Sequence, residues 1–434
     1  MAICFLTFLG TGNYEKVRYQ CPDNSIIKTA YAQIAIINTY KDELKDKNSK
    51  VIVFVTKEAR SRHWDTETGL NRELEEYIPA DKIFAVDISS VIDEQSVWQL
   101  FDNIFNSIPY GSDILLDITH AFRSIPMLGL VIINYARIVK NIDIKGIYYG
   151  AYDRELTEPY KIIELTQVDR LLQWSNAVNS YANTGNAYHI DLLANQIMKN
   201  IKTDLEKMQA ASERSLAHSL KKIWPILSTC RIKEIINGRV FIDIKKKIEE
   251  LHNQDVSYIK PLSTLHSQIE DTILDFAPDS IGNILLAVRL CIKYDLIQQA
   301  ITLLQEGLIT IILYNIDIDY NARNNREAVN RFFTYLAKPD TNNTHPKEEE
   351  PYKETGKELD KHEYIKKFIK PCNWLKDLRN DINHAGLTEQ KINPETFMTN
   401  IKKIFRDILE VLSTEKHIKN MQLVEVANKI LREQ

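Results

Sequence analysis

Six short apolar runs, separated by stretches of helical periodicity, occupy the first ~165 residues and leave this chain few folds to choose from. Residues 2–9 are almost continuously apolar and end in Gly10-Thr11-Gly12. Similar runs fall at 51–56 (Val-Ile-Val-Phe-Val-Thr), 82–88, 113–118, 144–150 and 160–165. A strand that is apolar on both faces has to be covered on both faces. The cover is written between the runs: Ile27, Ala30, Tyr31, Ile34, Ile37 and Tyr40 recur at helical spacing, as do Val97, Leu100, Phe101, Ile104 and Phe105. This alternation predicts βαβ units, and hence an α/β domain over residues 1–165 with a doubly wound, Rossmann-like parallel sheet. Ligands of such sheets bind beyond the carboxyl ends of the strands, so the residues just after each run are the first candidates for a site.

From residue 166 to 434 the pattern changes to an all-α region. Leu285, Val288, Ile292, Leu296, Ala300 and Leu303 predict packed helices, continued by 308–313. Gly238 to Ile244 reads as a short strand. Residues 338–360 hold three prolines, many charges and almost no apolar side chains, which predicts a mobile insertion dispensable for folding. At 434 residues the chain is long enough for two or three cores. Its formal net charge of −4 means that phosphate must be met by a local basic site rather than by the whole surface. The five cysteines include no C-x-x-C pair, which argues against a disulfide framework or a zinc site and fits a reducing cytoplasm. The N-terminus lacks a basic leader and reads as a strand rather than a signal peptide. No apolar run reaches the ~20 residues a membrane span needs.

Residues 372–386 carry the chemistry of the helical half. Trp374, Leu375, Leu378 and Ile382 form a core-facing stripe, with Gly386 as the expected C′ stop. Arg379, Asn380, Asn383 and His384 fall away from that stripe. Arg379 and His384 are separated by roughly 140° around a helix, so they flank a cleft rather than stack. An arginine fork suits the charge that builds on a phosphate under attack, and an imidazole with a reference pKa near ~6.5 suits proton transfer to or from ribose oxygens. Asn380, one turn before His384, can orient the ring. Near a helix C-terminus the dipole favours a cation, so an acid role fits at least as well as a base role. No carboxylate cluster or Cys/His ligand set sits beside the pair, so metal-free RNA cleavage is the expectation. The bland alternative is a solvated helix face carrying an Arg and a His by chance.

Residues 116–126 carry the candidate site of the first domain. The run 113–118 leads directly into Thr119, His120, Arg123 and Ser124, and Pro126 suits the first turn of a following helix. A strand end followed by hydroxyls, an arginine and helix N–H groups makes an anion cradle. Asp117 also reads as a satisfied buried carboxylate, and Ser or Thr as an ordinary cap. The stretch Asp117-x-Thr119-His120-x-Phe122-Arg123-Ser124 resembles the corresponding sequence of CRISPR-associated Rossmann-fold (CARF) sensor domains. It is similar above all to the CARF–HEPN ribonucleases of type III CRISPR systems. Gly10-Thr11-Gly12 after the first strand and Thr56-Lys-Glu-Ala after the second agree with it, as does Trp174 followed by Tyr181-x-x-Thr184-Gly185. Arg379 and His384 match the Arg-x4–6-His signature of HEPN domains, and residues 298–306 look like an upstream helix of such a domain. Glu306 on that helix reads slightly better as a solvated charge.

The resemblance implies a homodimer, or a higher oligomer, that binds a cyclic oligoadenylate across two sensor domains and then cuts single-stranded RNA. Gly10, Thr11, Gly12, Thr56, Thr119, His120, Phe122, Arg123 and Ser124 would hold the activator, and Arg379, Asn380 and His384 would cut, with no cofactor, metal or membrane required. A tetra-adenylate ring matches a two-fold site. The alternative class is a non-catalytic nucleotide sensor whose helical half mediates assembly. A Rossmann dehydrogenase is disfavoured, because Glu15 stands where the third glycine of G-x-G-x-x-G belongs.

Overall fold

The computed structural model describes residues 2–433 apart from 90–92, 121–123, 153–156, 202, 254–256, 258, 338–343 and 388–390. It divides into two compact units, Met1–Gln173 and Trp174–Gln434. The division therefore falls inside the helix Thr166–Thr184 rather than at the expected 165/166. The first turns of this helix are tied to the first unit: Arg137 pairs with the buried Asp169 at 2.6 Å, and Gln173 donates to the same carboxylate at 2.8 Å.

The first unit is built on one eight-stranded sheet, ordered β3-β2-β8-β7-β6-β1-β4-β5. The strands are β1 (Ile3–Leu9), β2 (Val17–Gln20), β3 (Ile26–Thr29), β4 (Lys50–Val55), β5 (Ile83–Asp87), β6 (Asp113–Asp117), β7 (Asp143–Gly150) and β8 (Tyr160–Glu164). The five strands β5-β4-β1-β6-β7 are parallel, as the apolar runs imply. The sheet as a whole is mixed, which corrects the all-parallel expectation. β8 runs antiparallel to β7, and an antiparallel β2–β3 hairpin joins through β2. Ile27 belongs to β3, and the helix begins only at Ala32. Short half-exposed strands such as β3 carry no continuous apolar run, which is why periodicity merged this one with the helix.

β1 shows why the sheet sits where it does. All seven of its residues are buried. Successive side chains point to opposite faces. Ile3, Phe5 and Leu9 pack with Ile34 and Ile37 of the helix Ala32–Leu44. Cys4, Leu6 and Phe8 pack with Leu100, Ile104, Ile132 and Ile133 from the helices Glu94–Ser107 and Ser124–Lys140. Each such side chain contributes about 1.5–3 kcal/mol by burial. Strand order reverses between β1 and β6, so the crevice of this sheet opens at their carboxyl ends.

Among the described residues of the second unit, every regular element is a helix. The segment expected as a strand near 238–244 is the start of the helix Arg239–His252. Phe241, Ile244, Ile248 and Leu251 are its buried face, at helical spacing, and Phe241 stacks on Phe276 at 3.7 Å. The helix Ile297–Asn315 is long and apolar enough by composition to cross a membrane, against the expectation above. Here Leu303, Leu304, Leu308, Ile311 and Ile312 are buried in the core of the unit, so its apolarity is that of a central helix.

Residues 344–360 are not a mobile insertion, whereas 338–343 lie outside the described residues. His345 and Pro346 are buried, and the helix Lys353–Asp360 seals Leu359 completely. His345 meets Tyr335 and Phe332 edge-on, and Lys347 pairs with Asp360 at 2.7 Å. Gly356 packs against the backbone of Pro346 and Lys347 so closely that a Cβ would lie 2.4 Å from the Lys347 nitrogen. Composition misleads here because a few apolar side chains are buried and most of the charged ones are paired. Leu359→Ala is therefore expected to cost about 2–5 kcal/mol in urea unfolding followed by far-UV circular dichroism. A loss below about 1 kcal/mol would show that the segment does not pack.

Candidate functional site

The β1/β6 crevice holds a cavity of about 370 Å³. Its walls include Gly10, Thr11, Gly12, Thr56, Thr119 and His120, so six of the nine residues expected from sequence come together. Phe122 and Arg123 lie outside the described residues. Ser124 starts the helix Ser124–Lys140, and its side chain lies outside the description too.

Two of the six have work within the fold. Thr56 accepts from the Ala59 N–H at 3.2 Å, capping the turn after β4. Thr119 donates its hydroxyl proton to Asp117 and accepts from the Gly150 N–H at 2.8 Å. It has no proton left for a ligand. Asp117 is fully buried and also accepts from Thr7 Oγ1 at 2.6 Å and the Thr119 N–H at 3.0 Å. Thr7 lies on β1 and Asp117 on β6, so this carboxyl joins the two strands that frame the crevice.

Tyr14, Asn13, Glu15, Tyr19 and Tyr152 also line the cavity and were not anticipated. Tyr14 organises the wall: its hydroxyl accepts from the Gly10 N–H at 3.0 Å, and its ring lies edge-on to His120 at 4.8 Å and His63 at 4.6 Å. The Nε2 atoms of both histidines are buried without a hydrogen-bond partner. Burial, with the neighbouring His63 adding to it, pushes His120 down to about 4. Burial also lowers His63, against the pull of the Gly12 and Thr11 carbonyls. Both rings are neutral near pH 7, so each presents one donor and one acceptor. Arg62, bonded to the Thr11 carbonyl at 3.3 Å, is an exposed cation on the glycine loop. Aromatic rings, neutral imidazoles and an open glycine loop suit a nucleoside better than a bare anion.

The second site lies on three helices of the other unit. Gln305 and Ile309 of Ile297–Asn315 line a groove of about 620 Å³, together with one face of Arg323–Ala337 and one of Ile369–Asn383. Arg379 and Asn380 line this groove, whereas His384 does not. His384 is the exposed C-cap of its helix. The stop is Ala385 rather than Gly386. Ala385 adopts φ +55°, and a Schellman pair closes the end, from the Ala385 N–H to the Ile382 carbonyl at 3.0 Å and from the Gly386 N–H to the Asp381 carbonyl at 2.8 Å. Among the described residues no side-chain hydrogen bond joins Asn380 to His384.

Glu306 is not simply a solvated charge. It pairs with Arg326 at 2.6 Å and lies 3.5 Å from the Arg379 guanidinium, which also reaches Gln305 at 3.4 Å. Arg326 is held in turn by Thr310 Oγ1 and the Glu306 and Tyr320 carbonyls. Glu306 thus positions Arg379 from a helix already fixed in the core. The signal in sequence was Glu306 itself, the single charged residue of the helix Ile297–Asn315.

A doubly wound sheet with a ligand-sized cavity at its switch point defines a Rossmann-like binding domain. Residues 4–153 match the CARF domain of the CRISPR system endoribonuclease Csx1. Over 171 residues the chain is 34% identical to CRISPR-associated protein MJ1674 of Methanocaldococcus jannaschii, covering 37% of this chain and 26% of that protein. The chain therefore spans about a quarter of the length of that curated relative. These similarities support a CRISPR-associated CARF protein.

The crevice predicts a pH signature with two opposed slopes. Burial raises Asp117 from 3.8 to about 6, so its contribution to stability is full below 3.8 and is lost as pH rises to about 6. His120 falls from 6.5 to about 4, so its contribution is full above 6.5 and is lost as pH falls toward 4. Relative to the wild type, Asp117→Asn should lose stability more steeply in acid. His120→Asn should instead lose it as pH rises from about 4 to 6. Urea midpoints at several pH values check this, and parallel profiles for all three proteins would contradict it.

Proposed function

We propose that this protein is a metal-independent endoribonuclease of HEPN type that cuts single-stranded RNA when a cyclic oligoadenylate binds its CARF domain, acting in antiviral CRISPR defence in the cytoplasm. The observation that carries the catalytic half is Arg379, held by Glu306 and Gln305 at a groove, with His384 exposed at the end of the same helix. In this reading the ribose 2′-oxygen attacks the adjacent phosphorus and the bond to the 5′-oxygen breaks. One imidazole takes the 2′-hydroxyl proton or supplies one to the leaving oxygen. Arg379 meets the charge that builds on the phosphoryl oxygens. The products are a 2′,3′-cyclic phosphate and a 5′-hydroxyl end.

The sensing half is supported by the CARF-domain match and by the aromatic cavity over β1 and β6. A homodimer would present two such cavities to one ring, and an even-numbered ring fits a two-fold axis, tetra-adenylate first. His120 is suited to a ribose hydroxyl, and Arg123 to phosphate. Activation requires the ring to bind the active arrangement more tightly than the inactive one.

A fluorescent-RNA cleavage assay with a panel of cyclic oligoadenylates tests both halves. Arg379→Ala and His384→Ala should each lower the activated rate by about 10²-fold or more, and EDTA should leave the wild-type rate unchanged. Full activity in His384→Ala, or abolition by EDTA, would refute the mechanism. Activation by the hexa-adenylate at far lower concentration would refute the ring size, and no binding of any ring in calorimetry would refute the sensor assignment.

A further inference from the structure

Cations gather on one part of the helical unit, although the chain as a whole carries a formal net charge of −4. Lys402, Lys403 and Arg406 lie on the exposed side of the helix Phe397–Thr414, and Arg289 and Lys293 join them from Asn283–Lys293. Together with Ile292, Ile430 and Glu433 they line a groove of about 590 Å³, which shares no lining residue with the groove beside Arg379. Glu433, the carboxylate of that lining, is committed to Arg289, which also lies 3.6 Å from Asp275. The remaining cations are poorly compensated. Among the described residues no carboxylate pairs with Lys293, Lys402 or Lys403. Lys293 reaches Thr272 Oγ1 at 3.5 Å, and partial burial with Arg289 nearby lowers its pKa. The ammonium of Lys403 stands over the Trp374 ring at 5.4 Å, which places it without neutralising it. Arg406 bonds Glu410 at 3.1 Å, but both side chains are well exposed, and such a pair is readily exchanged for another anion.

We propose that this groove grips the phosphate backbone of single-stranded RNA, as a second contact surface separate from the groove that holds Arg379. The proposal rests on the ribonuclease reading above for the identity of its ligand, whereas binding itself needs no chemistry. Lys402 and Arg406 are one helical turn apart, about 6 Å along the axis, and Lys293 extends the row from a second helix. One small anion would leave most of these charges unanswered, while a chain of phosphates meets them in turn. Ile292 and Ile430 add apolar surface to the groove, and the methylene stems of the lysines extend it. A cationic rim over an apolar floor suits a single strand, because unpaired bases have faces to lay on that floor while the phosphates meet the rim. A duplex keeps those faces stacked inside.

The test is fluorescence anisotropy of the full-length protein with a single-stranded 2′-O-methyl RNA, which lacks the attacking hydroxyl and cannot be cut, over a range of salt concentrations. The double variant Lys402→Ala, Lys403→Ala should weaken binding about tenfold at low salt. It should also make the slope of log K against log salt shallower by about 1.4, the value for two phosphate contacts on a single strand. Lys246→Ala, at an exposed position of Arg239–His252, should change neither. All three lysines are exposed, so melting temperatures equal to that of the wild type are expected and show that the variants fold. An unchanged slope in the double variant, an equal loss in Lys246→Ala, or no RNA binding by the wild type would overturn the proposal. So would displacement of the RNA by poly-glutamate at equal charge concentration, which would point to an acidic protein as the partner. Cleavage of ordinary RNA is followed in parallel. Its absence beside the expected anisotropy results would refute the ribonuclease reading and leave the groove as an RNA-binding surface.

Discussion

Asp117 has no water to ionise into, and its carboxyl is held by a hydroxyl from β1 and by a hydroxyl and an N–H from the turn after β6. Burial penalises its charge, so it is raised to about 6 even with three donors aimed at it. Those donors come from the strands on either side of the point where strand order reverses. The carboxyl therefore sets the spacing of the crevice and fixes the backbone that presents His120. Thr119 extends the same linkage to β7 through the Gly150 N–H. Sequence motifs of this kind are commonly read as ligand contacts, but here the Asp and the Thr hold the frame and the histidine faces the cavity.

The helical unit solves a similar problem with ions instead of a buried acid. Glu306 projects from a helix whose other side is core, and Arg326 anchors it through several contacts. A carboxylate fixed in this way can hold Arg379 without fully neutralising it, at 3.5 Å rather than at contact distance. Arg379 keeps donors free while Glu306 and Gln305 fix its position; in the ribonuclease reading proposed above, those donors would meet a phosphate with little reorganisation. Residues 344–360 contribute to the same groove, because Thr344 and Glu349 line its outer wall. Their packing is thus tied to the shape of the site as well as to stability.

Much of this was legible in the amino-acid sequence. The continuous apolar runs specify a sheet buried on both faces, since no other arrangement removes both faces of β1 from water. Thr119, His120 and the Arg379–His384 helix followed from residue type and spacing, while Gly10, Thr11, Gly12 and Thr56 were named from the family resemblance. The unread parts share a cause. β2 and β3 are short and half-exposed, so they lack a run, and the helix at 239–252 opens with Val240, Ile242 and Ile244, which imitate strand alternation. Residues 344–360 bury a few apolar side chains among many charges, and composition averages them away.

What the sequence by itself determined is the pair of architectures and the chemical groups available to each, because periodicity and residue type act locally along the chain. What only the tertiary structure decided is which of those groups remain uncommitted. Thr119 and Thr56 turn out to serve the fold, Tyr14 joins the cavity from outside the motif with His63 packed against its ring, and Glu306 passes from solvent charge to the holder of Arg379. The reason is physical: a hydrogen bond or ion pair is satisfied by whatever packing brings within about 3 Å, and partners distant in sequence are invisible until the chain has closed.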